Sequence, residues 1–234
     1  MTKSWTIPAY DVRESNRARQ VIIKVSPWSE LEVVVPIGFD LSEIPDILRK
    51  KAGWIRKNLE RTQPPEELTS PKSICLGLLG ETWRAEYSRT PAQRLSLSEQ
   101  AGNVLLLTGP VDDPVTVAAS LNQWLQRRAK EVLVPWLDRL SAELSLPFSR
   151  AAVRRQRTKW GSCSAEKSIS LNRNLLFLPK SMAKYVLVHE LCHGRRLDHS
   201  KRFWSLLETF EPDARQTAAK LREAAQWVPR WAQV

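Results

Sequence analysis

The sequence predicts an α+β protein: a β-rich N-terminal region followed by a helical region that carries a small sheet. Three observations lead there. Aliphatic and β-branched runs bounded by turn residues crowd the first hundred positions. Apolar residues then recur at helical spacing from Val115 to about Leu144. Further on, a short alternating stretch leads into a helix that is apolar on nearly every face.

Taken in order, Val21 to Val25 and Leu31 to Val35 flank Ser26-Pro27-Trp28-Ser29 and read as a hairpin. Ile44, Ile47, Leu48, Ala52, Ile55 and Leu59 mark one helix, with Arg49, Lys50, Arg56 and Lys57 on its other face, and Gln63-Pro64-Pro65-Glu66 breaks it. Strands are expected at Ser73 to Leu79, Thr82 to Tyr87 and Asn103 to Leu107. The Gly109 to Pro114 joint opens the long helix, which Pro135 is expected to kink or divide. A strand at Ala151 to Gln156, a loop at Arg157 to Ser164 and a strand at Ser168 to Phe177 follow. Pro179 and Ser181 start the apolar helix. Another helix begins near Ser200, and a last one runs from about Pro212 to Trp227. Two regions are therefore expected, 1–110 and 111–234.

Composition narrows the possibilities. A chain of 234 residues and 26.8 kDa has ample length for a real core. Its three cysteines, Cys75, Cys163 and Cys192, follow no disulfide-framework spacing. The first residues lack the apolar stretch of a signal peptide, and no run approaches the roughly 20 apolar residues of a membrane span. The expectation is a cytoplasmic protein that does not engage a membrane. The net charge of +11 is concentrated. Between Arg150 and Arg202 thirteen Lys or Arg face three acids, an excess of ten. That excess suits an anionic substrate or partner, including nucleic acid or another polyanion, and equally a solvated basic surface. Most of the ten tryptophans, such as Trp54, Trp124, Trp136 and Trp204, stand at helical core positions. Trp160 differs, because it precedes a glycine in a loop and either packs there or lines a substrate cleft.

All three histidines fall between positions 189 and 199. His189 and His193 are four apart, so a helix projects both imidazoles from one face, with Glu190 turned to the side. This is the HExxH arrangement of zinc hydrolases. A catalytic zinc takes three protein ligands and keeps a fourth position for water, which Glu190 would activate. His199 is the best third ligand, since residues 194–198 give the chain room to fold back. Asp198, Glu208 and Glu211 compete for that role. Cys192, inside the motif, reads as a buried filler rather than a ligand. One zinc per chain is expected, although three imidazoles also suit other divalent ions.

These residues resemble the YgjP-like family of predicted zinc-dependent hydrolases, relatives of the SprT-like and other HExxH metallopeptidases. The likeness rests on Thr158-Lys159-Trp160-Gly161-Ser162-Cys163-Ser164 running into Ile169 to Asn172. It rests equally on Val186 to His193, continued by Asp198-His199-Ser200 and Phe203-Trp204. The resemblance implies a zincin-like core, His189, His193 and His199 as metal ligands, and Glu190 as general base. It further implies that Ser168 to Phe177 is an edge strand bordering the cleft, able to hold an extended peptide. The basic Gly194-Arg195-Arg196 departs from the family's usual look.

Three functions compete. A zinc metallopeptidase needs a donor for the oxyanion, for which Arg173, Arg195, Tyr185 and Asn172 are within reach in sequence. Trp160, Arg173 and Arg195 are the candidates for substrate contact. A nucleoside triphosphate pyrophosphatase or phosphohydrolase would use the same zinc and glutamate, with the basic segment 150–202 on the phosphates; no Gly-rich phosphate loop is present. The third is a nucleic-acid-associated SprT-like protease or binding module, with bases stacked on Trp160. The peptidase reading leads.

Overall fold

A computed structural model describes residues 6–16, 18–25, 31–59 and 68–233. The hairpin turn at 26–29 and the helix break at 63–66 lie outside them. The chain forms two compact units, Met1–Glu66 and Glu67–Val234, in a mixed α+β architecture.

In the first unit a central strand, β3 (Leu31–Pro36), pairs in parallel with β1 (Tyr10–Ser15) and antiparallel with β2 (Ile22–Val25). Strand β1 escapes sequence reading because its outward residues are mostly polar and Val12 is exposed. The helix expected over 44–59 is two helices, α1 (Ile44–Lys50) and α2 (Ala52–Leu59), separated at Lys51. Gly53 weakens helical continuity just there. Leu31, Val33 and Val35 alternate onto one face of β3 and share a core with Ile44, Leu48 and Ile55.

The second unit begins with a four-stranded sheet, β4 (Ser73–Leu76), β5 (Glu81–Arg89), β6 (Ser96–Gln100) and β7 (Val104–Gly109), in the order β4-β5-β7-β6. The polar, exposed β6 carries no strand signature in sequence. These strands belong with the residues that follow them, whereas the sequence suggested a division at 110/111. The physical reason is packing. Helix α3 (Pro114–Leu144) starts immediately after β7, capped by the Asp113 carboxylate, which accepts from the backbone N–H of Val115 and Thr116, both at 3.1 Å. Its Trp124 meets Trp83 of β5 edge to face at 5.5 Å and donates to Glu99 of β6 at 3.0 Å. Pro135 sits inside α3 without dividing it.

The second sheet holds β8 (Arg150–Arg154), β9 (Gly161–Cys163) and β10 (Ser168–Asn172) in the order β8-β10-β9. Thus β10 is central, and the edge next to the apolar helix is the short β9, which corrects the expectation that 168–177 borders the cleft. Strand β10 also ends at Asn172, whose side chain accepts from Asn174 N at 3.1 Å and caps a 3-10 turn over Arg173–Phe177. Helix α4 (Lys180–His193) follows, buried along Val186, Leu187, Val188, Leu191 and Cys192. Then come α5 (Lys201–Phe210), α6 (Ala214–Leu221), a 3-10 turn at Ala224–Trp227 and α7 (Arg230–Gln233). The helix expected over 212–227 is thus shorter than its apolar pattern. Among the described residues no helix is long and apolar enough to cross a membrane.

Candidate metal centre

The last two turns of α4 place His189, Glu190 and His193, and the 194–200 segment returns His199 to the same point. Nε2 of His189 lies 3.1 Å from Nε2 of His193 and 3.1 Å from Nε2 of His199. The three ligating nitrogens all lie within 4.8 Å of one another. A tetrahedral ion with metal–nitrogen bonds of about 2.0–2.1 Å separates its donors by about 3.3 Å. The observed spacing therefore fits one small divalent ion. Among the described residues no other set of His, Cys, Asp or Glu converges in this way.

The remaining ring nitrogens are held so that the Nε2 atoms present lone pairs. Nδ1–H of His193 donates to the Arg196 carbonyl at 2.8 Å, and a carbonyl only accepts, so the proton is fixed on Nδ1. For His189 the Tyr185 hydroxyl lies 3.3 Å from Nδ1 and can accept its proton. Burial, reinforced by the neighbouring imidazoles, pushes the His189 pKa down to about 3. Burial likewise lowers that of His193. Both rings are neutral near pH 7, the form a metal needs. Buried Phe203 of α5 packs against all three, stacked on His193 at 4.5 Å and edge-on to His189 and His199 at 4.9 Å.

Glu190 is 5% exposed, and its Oε2 has no hydrogen-bond partner among the described residues. A buried carboxylate oxygen left this way is costly unless water or a ligand meets it. Burial raises the carboxyl pKa to about 8, against the opposing pull of the Lys159 ammonium. Strand β9 lies over this side chain. A Cβ on Gly161 would stand 2.7 Å from both Cγ and Oε1 of Glu190, so any larger residue there would force the Glu190 side chain to shift.

The other residues singled out in sequence are dispersed. Arg173 is buried, with its guanidinium bound to the backbone and side-chain oxygens of Asn122 on α3. Burial lowers its pKa to about 10. It therefore faces the packing of α3, away from any open cleft. Arg195 donates to the Ser145 carbonyl at 3.1 Å. Asn172 is fully buried and spends both amide hydrogens on the carbonyls of Gln156 and Lys159, each at 2.8 Å, fixing the loop before β9. Trp160 is part-buried within that loop, and its carbonyl accepts from Asn172 N at 2.9 Å. Glu208 pairs with Arg215 at 2.6 Å and Glu211 with Lys184 at 2.7 Å, so neither reaches the histidines. Asp198 accepts from the Ser200 hydroxyl at 2.9 Å. The Cys192 thiol is buried, its pKa raised to about 12 by that burial. Sequence reading missed Gly161, Lys159 and Phe203 as parts of the site. The Lys159-Trp160-Gly161 run was visible, but nothing in it announced contact with Glu190.

A buried helix with two histidines one turn apart, a glutamate beside them and a third histidine folded back defines a metallopeptidase-type centre. The chain matches the YgjP-like metallopeptidase domain over residues 19–224, and it belongs to the YgjP-like family. No curated protein matches it. A solved structure similar to part of it is the metallopeptidase zymogen of Pyrococcus abyssi abylysin, at 23% identity and a TM-score of 0.35, covering 38% of this chain and 91% of that one.

Proposed function

We propose that this protein is a zinc-dependent peptidase in which His189, His193 and His199 hold the metal and Glu190 is the general base and acid. The observation that carries the reading is the convergence of three Nε2 atoms, together with the buried carboxyl of Glu190, next to His189 in the sequence, whose Oε2 has no hydrogen-bond partner among the described residues. Zinc held there supplies Lewis acidity, polarising a carbonyl and acidifying water. With its carboxyl ionised, a form that the positive charge of a bound ion would favour against burial, Glu190 would take a proton from the attacking water at Oε2 and return it to the leaving amine. Gly161, lying over the side chain, limits its rotamers.

Substrate placement follows from the sheet. Strand β9 is an edge, and an extended peptide can add to such an edge through backbone hydrogen bonds. Because Gly161 of β9 touches Glu190, a peptide paired there has its backbone close to the base. For the oxyanion, Arg173 and Asn172 are committed elsewhere, as described above. Lys159 is exposed, and its charge is felt by both Glu190 and His193, so its ammonium is the better-placed donor.

The nucleoside triphosphate reading keeps one observation in its favour: Arg196, Lys201 and Arg202 make no ion pair with a described residue. A single experiment separates the two. Zinc-loaded protein and Glu190→Gln are each given a peptide library and a nucleoside triphosphate panel. Glu190-dependent peptide cleavage supports the proposal; Glu190-dependent pyrophosphate or phosphate release without peptide cleavage replaces it.

A further inference from the structure

A cleft of about 610 Å³ opens between the segment that follows α4 and the first turns of α5, lined by Arg195, Arg196, Lys201, Arg202, Ser205 and Leu206. One wall is joined to the metal centre. The Arg196 carbonyl receives the His193 Nδ1 proton, and His199 stands two residues before Lys201. We propose that this cleft is the specificity pocket of the peptidase, binding acidic side chains of the polypeptide substrate next to the scissile bond. The proposal rests on the peptidase reading and names the substrate class that reading leaves open.

Four cations bring their charge to one small cleft with little to answer it. Arg195 donates to a backbone carbonyl, and Arg196, Lys201 and Arg202 have no ion pair with any described residue. The single acid between Arg195 and Arg202 is Asp198, and it accepts from Ser200 Oγ. The placement also works against folding. Lys201 and Arg202 occupy the first turn of α5, where the positive end of the helix dipole disfavours cations, and Ser200 supplies no side-chain cap. Like charges gathered at a helix start destabilise the empty protein and are relieved when an anion enters.

The lining distinguishes among anions. Guanidinium groups take carboxylates in paired hydrogen bonds, and Leu206 with the arginine stems gives an apolar wall for side-chain methylenes. No aromatic ring lines the cleft, so it offers no stacking platform for nucleic-acid bases. Its volume suits a few residues of a peptide rather than a long polyanion track.

The test is fluorescence anisotropy with a labelled Glu/Asp-rich decapeptide, its Gln/Asn counterpart and a thymidine oligonucleotide, on zinc-loaded wild type and on Arg196→Gln/Lys201→Gln/Arg202→Gln. The three side chains are exposed and the His193 partner is backbone, so zinc content and the circular-dichroism melt should be retained. Arg196→Lys/Arg202→Lys serves as the charge-preserving control. The proposal expects the acidic peptide to bind wild type at least about 10-fold more tightly than its neutral counterpart, with a steep loss as salt rises. The triple variant should lose that preference and the control should keep it. Equal binding of the acidic peptide by wild type and triple variant overturns the proposal. So does an oligonucleotide that alone binds through the three cations, which makes the cleft a nucleic-acid surface. Cleavage read in parallel separates the two claims. Glu190-dependent cleavage that is indifferent to acidic residues keeps the peptidase and removes this pocket; cation-dependent capture without cleavage of either peptide keeps an acidic-peptide site and removes the peptidase.

Discussion

Gly161 and Glu190 are in such close register that a single added carbon on the glycine would stand 2.7 Å from the carboxylate oxygen Oε1. A three-residue edge strand thereby sets the position of the proposed base. Gly161→Ala must push the Glu190 side chain aside, while leaving the three imidazoles in place. The expected outcome is unchanged zinc content with kcat reduced about 10- to 100-fold, since catalytic groups lose much of their effect when displaced by about 1 Å. Steady-state kinetics beside metal analysis checks this, and an unaltered kcat would show that the contact is incidental.

His199 approaches the other two histidines from an exposed segment, and no carboxylate stands ready to replace it, because Glu208 and Glu211 are held by Arg215 and Lys184. Loss of a supporting residue around a metal typically costs 10- to 100-fold in affinity, and loss of a ligand costs more. His199→Ala should therefore bind zinc more than about 100-fold more weakly in a competition titration with a chelating dye. Wild-type affinity in that variant would return Glu208 or Glu211 to consideration.

Metal-free protein should show a specific pH dependence. The Glu190 carboxyl ionises near 4.5 when the chain is unfolded and near 8 when it is buried in the fold. Below the lower value both states keep the proton and nothing is lost. As pH rises from about 4.5 to 8 the unfolded chain has released a proton that the folded chain retains, so folding is progressively disfavoured. His189, depressed to about 3, acts in the opposite sense between 3 and 6.5 but does so in wild type and variant alike. Urea denaturation should thus find metal-free Glu190→Gln more stable than metal-free wild type at pH 8, by on the order of a few kcal/mol, and nearly equal at pH 4.5. Equal stability at both pH values would contradict a carboxylate buried without a partner.

Phe203 packs against all three rings and is itself fully buried. Phe203→Ala should cost about 3–5 kcal/mol by opening a cavity, and it should weaken zinc binding because the imidazoles lose their packing. Thermal melts with and without zinc check both, with Phe203→Leu expected to recover most of the stability. A variant that melts low yet binds zinc as wild type does would confine Phe203 to the core.

The local parts of the site were legible because they follow helical period. Two histidines four apart, with a glutamate next to the first, announce themselves on any helix, and the apolar run at 185–188 marks that helix as buried. What depends on chain return was not legible. Gly161 meets Glu190 through sheet pairing, and Phe203 reaches the rings from another helix. The surplus of cations near Arg173 suggested a substrate role, yet burial against α3 commits that side chain to Asn122. Charge counted along the sequence does not say which way a side chain faces. The same limit hid β6, whose exposed residues are almost all polar, and β1, whose short Tyr10-Asp11-Val12-Arg13 alternation is mostly exposed. It also hid the centrality of β10, which follows only from the pairing of β8 and β9 on either side.

The most direct test of the account is a side-by-side comparison of wild type and Glu190→Gln, measuring zinc per chain and peptide hydrolysis on the same samples. One zinc per chain is expected in both proteins, with hydrolysis reduced at least about 100-fold in the variant, the usual scale of a lost general base. Peptide cleavage by zinc-loaded Glu190→Gln at the wild-type rate would contradict it.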